Sequence, residues 1–170
     1  MVKLPAPPDG AWGSGGDAPE DGMATIAKQV IMDAPLEKVF DLVVDYERYP
    51  EFVPGIRACR VRDVKGEKHV EYELDLGVKR IRYVLRMAEK RPTNVSWSLV
   101  SGDMMKVSNG SWALAAEEGK TRALYTVEIQ IARPALLPQS IVDRVSDELT
   151  RIQLPKTLEA FKARAESRRR

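Results

Sequence analysis

The chain has 170 residues and a formal net charge of only +2. That length fits one domain with a substantial core, and so balanced a charge does not indicate a DNA-binding protein. The single cysteine, Cys59, excludes an intrachain disulfide and a cysteine-based metal site, so we expect neither a metal nor another cofactor. No apolar run approaches the roughly 20 residues of a membrane span, and the N-terminus lacks a secretion signal. We therefore expect a cytoplasmic protein.

Residues 1–22 are rich in Pro, Gly, Ala and Asp and contain almost nothing to bury. Such a segment cannot offset the entropy lost on ordering. We therefore predict a flexible leader over residues 1–22, a folded ligand-binding domain over residues 23–166 and a basic tail over residues 167–170. Met23 is an alternative start to Met1.

The first elements predicted are a strand over residues 24–32 and a helix that follows it in the sequence. Asp33 is a suitable N-cap, and Pro35 fits the first turn because a proline there loses no helical hydrogen bond. An apolar stripe at helical spacing then predicts a face packed on a core: Leu36, Val39, Phe40, Val43 and Val44. Asp45 is expected to cap a second, short helix that ends near residues 50–54.

From residue 55 to residue 131 the apolar period changes to two, which predicts strands. A two-residue loop at residues 77–78 sets Leu74 opposite Ile81 and Asp75 opposite Arg80. Both faces of the hairpin agree with this register, and a one-residue slip would disrupt both. The same reasoning gives six consecutive antiparallel strands after the first, seven in all. Further cross-strand pairs are predicted as follows: Tyr72–Tyr83, Val70–Leu85, Glu73–Arg82, Met87–Trp97, Leu85–Leu99, Trp112–Tyr125 and Leu114–Ala123.

A long C-terminal helix is the last predicted element. Ser140, with Asp143 three residues later, resembles a capping box. Val145, Leu149 and Ile152 follow at helical spacing and are expected to face the sheet. Pro155 lies within the apolar stripe, so we expect a kink there rather than a straight helix.

Three segments resemble a known family. Residues 39–54, VFDLVVDYERYPEFVP, resemble the opening of the polyketide cyclase/dehydrase group. Residues 110–114, GSWAL, are similar to its Gly-x-Trp-x-apolar strand, and residues 158–165, LEAFKARA, are similar to the end of its helix. Within the START-like superfamily the resemblance is closest to coenzyme-Q-binding and ribosome-association-toxin proteins, and it spans residues 24–166. It implies an α+β helix-grip fold, as in START domains and the birch-pollen allergen, with a seven-stranded curved sheet around the helix.

Proteins of this fold hold ligands between the sheet and the helix, so the inward side chains are candidate ligand contacts. Several of them are aromatic residues with a polar atom among aliphatic neighbours, as is common in small-molecule sites. The predicted contacts are Tyr72, Leu74, Tyr83, Leu85, Met87, Val95, Trp97, Leu99, Trp112, Tyr125, Val127, Ile129, Val145, Leu149 and Ile152. Ser96, Ser98 and Ser108 are expected on the exposed face.

Catalytic residues are not predicted. His69, the only histidine, is expected opposite Arg86 on the polar strand face, where nothing pairs it with a nucleophile. Cys59 alternates with Val61 and is interpreted as a core residue. Asp45, Tyr46, Glu47 and Tyr49 form either an acid–base site at the cavity mouth or a helix cap with first-turn acids, and the cap is favoured.

Three functions remain open. The favoured one is carriage, without catalysis, of a hydrophobic small molecule: a polyisoprenoid or other lipid-like compound, quinones included. The alternatives are a polyketide cyclase or dehydratase and a ribosome-associating regulator. The basic C-terminus from residue 156 to residue 170 is a candidate contact for a ribosome or an anionic membrane surface.

Overall fold

A computed structural model describes residues 23–132 and 136–167. The predicted leader, and all of the predicted basic tail except its first residue, lie outside this part of the chain. Seven antiparallel strands form one sheet in the order β1-β7-β6-β5-β4-β3-β2. Their bounds are β1 Met23–Met32, β2 Ile56–Val64, β3 Glu67–Asp75, β4 Arg80–Lys90, β5 Asn94–Gly102, β6 Met105–Glu117 and β7 Lys120–Ile131.

The helices lie before β2 and after β7. They are α1 Leu36–Val43, a 3-10 turn Tyr46–Arg48, α2 Tyr49–Phe52, α3 Gln139–Asp147 and α4 Leu154–Glu166, with the π-helical segment Glu148–Gln153 between the last two. The last three run continuously from residue 139 to residue 166 and close the inner face of the curved sheet. This architecture confirms the predicted α+β helix-grip fold. No helix within the described residues is long and apolar enough to cross a membrane.

The predicted registers of β3–β4, β4–β5 and β6–β7 are confirmed. Leu74 pairs with Ile81 and Asp75 with Arg80, and the backbone N–H of Leu76 donates to the Lys79 carbonyl oxygen at 3.0 Å, closing the two-residue loop. The other predicted pairs across β3–β4, β4–β5 and β6–β7 are also present. No neighbour was predicted for the first strand. In the structure β1 pairs with β7. Local alternation and turn length therefore determine six of the seven strand positions.

The prediction that Asp33 caps α1 is wrong. Pro35 holds the N-cap position in an extended conformation, two residues later than predicted. The chain is still turning at residues 32–34, because the Ala34 N–H donates to the Met32 carbonyl oxygen at 2.8 Å. The backbone N–H of Asp33 instead donates to Glu166 Oε2 at 2.9 Å. This bond ties the end of β1 to the end of α4.

The prediction that Ser140 caps the C-terminal helix is also wrong, whereas that for Asp45 holds for its position only. Pro138 is the N-cap of α3, and its carbonyl oxygen accepts from the N–H groups at residues 141 and 142, so Ser140 lies inside the first turn. Asp45 does occupy the N-cap position of the 3-10 turn, but its side chain makes no capping bond. It pairs with Arg48 at 3.4 Å instead.

The prediction that Ile152 faces the sheet is also wrong. Leu149 is buried as expected, but Ile152 is 41% exposed, and Gln153 and Leu154 are buried in its place. The cause is the π-helical segment Glu148–Gln153. A π turn bonds residue i to i+5 and holds more residues than an α turn. The inward positions therefore fall one to two residues later than a strict α-helical period predicts.

Candidate functional site

A cavity of about 90 Å³ lies between the inner face of the sheet and the C-terminal helix. Its wall contains twelve of the fifteen side chains predicted from the sequence: Tyr72, Leu74, Tyr83, Leu85, Met87, Val95, Trp97, Trp112, Tyr125, Val127, Ile129 and Leu149. They come together because the confirmed registers place them all on one face of the sheet, with Leu149 opposite on the helix. Whether they contact a ligand remains a prediction.

Three of the predicted residues do not line the cavity. Val145 is fully buried on α3, outside the wall, and Ile152 points away because of the π-helical segment. Leu99 is half-buried on β5, just beyond the point where β5 and β6 separate. Those two strands pair only from Asn94–Ala113 to Trp97–Gly110.

Nine residues of the wall were not predicted from the sequence: Val43, Tyr49, Ile56, Met105, Ser108, Gln153, Leu154, Thr157 and Phe161. Ser108 could have been found, because it lies four residues before Trp112 on β6 and so shares its face. It is 4% exposed, and the prediction that it is exposed is wrong. Ser96 and Ser98 do lie on the outer face, where Arg86 Nη2 donates to Ser98 Oγ at 3.3 Å.

Aromatic rings form much of the wall. Tyr72 and Tyr83 stack across β3 and β4 with ring centroids 5.0 Å apart and planes 11° apart. Trp112 contacts Tyr125 at 4.7 Å and Phe161 of α4 at 5.2 Å. Such contacts stabilise by about 0.5–1.5 kcal/mol each beyond the area they bury. The Trp112–Phe161 contact joins the sheet to α4 in the cavity wall.

Four of the five tyrosines line the cavity. The Tyr49 hydroxyl donates to the carbonyl oxygen of Val43. The hydroxyls of Tyr72, Tyr83 and Tyr125 form no hydrogen bond with any residue in the described part of the chain. Buried tyrosine hydroxyls usually have a partner. These three hydroxyls are therefore free to bond to a guest molecule or to water.

Burial raises the pKa of every tyrosine in the chain, as a desolvated phenolate is unfavourable. Unfolded tyrosines ionise near pH 10. Stability should therefore be full below about pH 10 and fall as the pH rises above it. We expect tyrosinate absorbance in the near ultraviolet to develop only together with loss of the folded circular-dichroism signal. The same chain in guanidinium chloride should titrate near pH 10, and a folded protein that does so would contradict the burial.

Cys59 and His69, the only cysteine and the only histidine, lie outside the cavity wall. Cys59 is 6% exposed in the core, as predicted, and burial raises the pKa of its thiol to about 12. His69 pairs with Arg86 across the strands, also as predicted, and its Nε2 lies 3.5 Å from Glu67 Oε1. Neither can act on a molecule held between the sheet and the helix.

The alternative acid–base site is not assembled. The Tyr46 hydroxyl donates to Glu89 Oε2 at 2.6 Å, and Asp45 and Glu47 are exposed. Of the four candidates only Tyr49 lines the cavity. Moreover, none of the described residues in the cavity wall carries a formal charge.

The volume of the cavity limits what it can hold without rearrangement. An engineered cavity of about 150 Å³ is known to bind benzene, and drug-sized ligand pockets span about 300–1,000 Å³. A cavity of about 90 Å³ is smaller than either. A lipid-sized guest therefore requires the wall side chains or the helix to move.

A curved antiparallel sheet closed by a C-terminal helix over an apolar, uncharged cavity defines a helix-grip protein. The family model for polyketide cyclase / dehydrase and lipid transport matches residues 32–155. The chain belongs to that family, which confirms the START-like resemblance drawn from its motifs. The closer likeness to coenzyme-Q-binding and ribosome-association-toxin proteins stays a prediction. A search of the curated proteins gives no match.

Solved structures support the fold. The Zhui aromatase/cyclase from Streptomyces sp. R1128 is 16% identical, with a TM-score of 0.75 over 87% of this chain and 96% of that one. A START superfamily protein from Mycobacterium smegmatis is 15% identical, with a TM-score of 0.66 over 84% and 97%. Ara h 8.0201 is 16% identical, with a TM-score of 0.60 over 85% and 98%. The solved structures show the fold, and the family is the one described as polyketide cyclase / dehydrase and lipid transport.

Proposed function

We propose that this protein binds and carries a hydrophobic small molecule of the polyisoprenoid or lipid-like type, quinones included, without catalysing a reaction. The observation that carries the proposal is an apolar cavity lined by Tyr72, Tyr83 and Tyr125, whose hydroxyls have no hydrogen-bond partner among the described residues. The aliphatic and aromatic wall favours an apolar body. The protonated hydroxyls favour an oxygen atom on that body, because each can donate a hydrogen bond to it.

The cavity wall supports carriage over cyclisation. Condensation or dehydration of a polyketide requires proton transfer by groups whose pKa lies near the working pH. The acidic groups in the described wall are tyrosine hydroxyls, whose pKa is raised by burial. A cyclase remains the alternative because the family includes such enzymes. In that case the tyrosines would polarise a ligand carbonyl without accepting its protons.

Native mass spectrometry of the protein purified from its own host tests the proposal. We expect a co-purifying hydrophobic molecule that is absent from a Leu149→Trp variant, since the larger side chain fills the cavity. Ile152→Trp is the matched control, because Ile152 lies on the same helix and is exposed. A molecule retained equally by all three proteins would place binding elsewhere. Turnover of a supplied polyketide by the wild type would favour the cyclase.

Entry into so small a cavity requires an opening, and we propose the C-terminal helix as the gate. Pro155 cannot donate a backbone hydrogen bond, and the π-helical segment directly precedes α4. Pro155→Ala should restore the hydrogen bond and stiffen this point, slowing ligand entry and release several-fold with little change in affinity. Stopped-flow fluorescence with N-phenyl-1-naphthylamine measures both rates. Unchanged rates would leave the loops at Gly77 or Gly102 as the entrance.

The cytoplasmic location and the contact of the basic C-terminus with a ribosome or an anionic membrane remain predictions. Sedimentation with ribosomes and flotation with anionic vesicles separate the two partners. A charge-reversing change at Lys156, which is exposed on the helix, should weaken either contact if it forms. Neither contact requires the cavity, so the two experiments are independent of ligand binding.

A further inference from the structure

The described part of the chain buries three polar side chains: Ser108, Thr121 and Gln153. Thr121 has a partner, because its Oγ1 donates to the carbonyl oxygen of Ala34 at 2.8 Å. Ser108 and Gln153 both line the cavity. Burying a polar group without a hydrogen bond is costly, so a buried carboxamide in an apolar wall requires an explanation.

Two contacts fix the carboxamide of Gln153. Its Nε2 donates to the carbonyl oxygen of Pro54 at 2.6 Å and lies 3.3 Å from Thr157 Oγ1. Thr157 Oγ1 in turn donates to the backbone carbonyl oxygen of Gln153 at 2.9 Å. The π-helical segment Glu148–Gln153 turns this residue inward where an α-helical period would have placed Ile152. The amide is therefore held with its nitrogen toward the turn before β2.

The oxygen of the same carboxamide has no such partner. No donor in the described part of the chain bonds to Gln153 Oε1. A Cβ added at Gly55 would come within 2.8 Å of this oxygen and 3.3 Å of Leu74 Cδ1, and both Gln153 and Leu74 line the cavity. Gly55 has a φ of +87°. A glycine is thus required there both by the backbone and by the position of the amide oxygen.

We propose that Gln153 is a specificity-determining residue whose Oε1 accepts a hydrogen bond from a hydroxyl of the ligand. This rests on the proposed function and narrows the ligand class to an apolar molecule that carries a hydroxyl donor. The hydroxyls of Ser108 and the three tyrosines can both donate and accept, so they serve either a hydroxyl or an ether oxygen. The carboxamide oxygen of Gln153 can only accept a hydrogen bond. It therefore favours a ligand hydroxyl, which can donate, over an ether oxygen, which cannot.

A matched pair of probes tests this inference: 2-naphthol and 2-methoxynaphthalene, which share a ring system and differ in the hydroxyl donor. The wild type should bind 2-naphthol about 2- to 10-fold more tightly, the gain from one added hydrogen bond. Gln153→Met should bring the ratio of the two dissociation constants close to one. Titrations followed by probe fluorescence give all of these constants.

Gln29→Met is the control, since Gln29 is exposed on β1, outside the cavity wall. It should retain the wild-type ratio. Gln153→Leu replaces Gln153→Met if the latter does not fold, as judged by circular dichroism. An unchanged ratio in a folded Met or Leu variant would overturn the role of Gln153. Failure of the wild type to bind either probe would instead overturn the proposed function.

Discussion

Trp112→Ala should lower the free energy of unfolding by about 3–5 kcal/mol, the range for removing a fully packed tryptophan. Trp112 is 3% exposed and touches Tyr125 on β7 and Phe161 on α4, so its indole connects the sheet to the helix. Guanidinium chloride unfolding followed by far-ultraviolet circular dichroism measures the loss. The signal does not depend on tryptophan fluorescence, which the substitution itself changes.

Trp97→Ala is the matched comparison. Trp97 lies on the same face and also lines the cavity, but it is only half-buried. Its loss of stability should be clearly smaller than that of Trp112→Ala, while affinity for N-phenyl-1-naphthylamine should fall. Equal losses of stability from the two substitutions would contradict the difference in packing. Unchanged affinity in Trp97→Ala would remove this residue from the ligand site.

Gly110→Ala should cost about 3 kcal/mol, the upper part of the usual range for overpacking. A Cβ at this position would come within 2.7 Å of Trp97 Cε2 and 2.5 Å of the Thr126 carbonyl oxygen. The indole could move, but the backbone oxygen of a central strand cannot move without disturbing the β6–β7 ladder. The first residue of the Gly-x-Trp motif, Gly110, is therefore a glycine because the indole of Trp97, on the neighbouring strand, lies against the β6 backbone at this position.

Ser111→Ala is the control for Gly110→Ala, because it changes the next residue of the same strand on the opposite face. It should change the free energy of unfolding by less than about 1 kcal/mol. The near-ultraviolet circular dichroism of Gly110→Ala should also change, as the Trp97 indole is displaced toward the cavity. A Gly110→Ala protein with wild-type stability and spectrum would show that the strand has more freedom than the contacts indicate.

The polar groups that would recognise the proposed ligand lie on both the sheet and the C-terminal helix. Tyr72, Tyr83 and Tyr125 supply hydroxyls from the sheet, and Gln153 supplies an acceptor from the helix. The proposed ligand would therefore form hydrogen bonds with both the sheet and the helix. If the helix moves to admit the ligand, the bond to Gln153 forms only on closure. Ligand release and helix opening would then be coupled through this side chain.

The sequence by itself determined the meander. Alternation from residue 55 to residue 131 and short turns are local properties, and each pair such as Leu74–Ile81 or Trp112–Tyr125 follows from counting back from a loop. A slip by one residue would bury charges and expose apolar side chains on both faces at once. For the same reason most of the cavity wall contributed by the strands could be named without a structure.

Only the tertiary structure decided the parts that depend on packing between distant elements. The π-helical segment moves Ile152 out and Gln153 in, and no local period predicts where a helix adds a residue to one turn. The bond from Gln153 to Pro54 spans 99 residues of sequence. The sequence predicts a hydrophobic wall because burial follows local periodicity, whereas the polar contact in that wall depends on how the helix lies across the sheet.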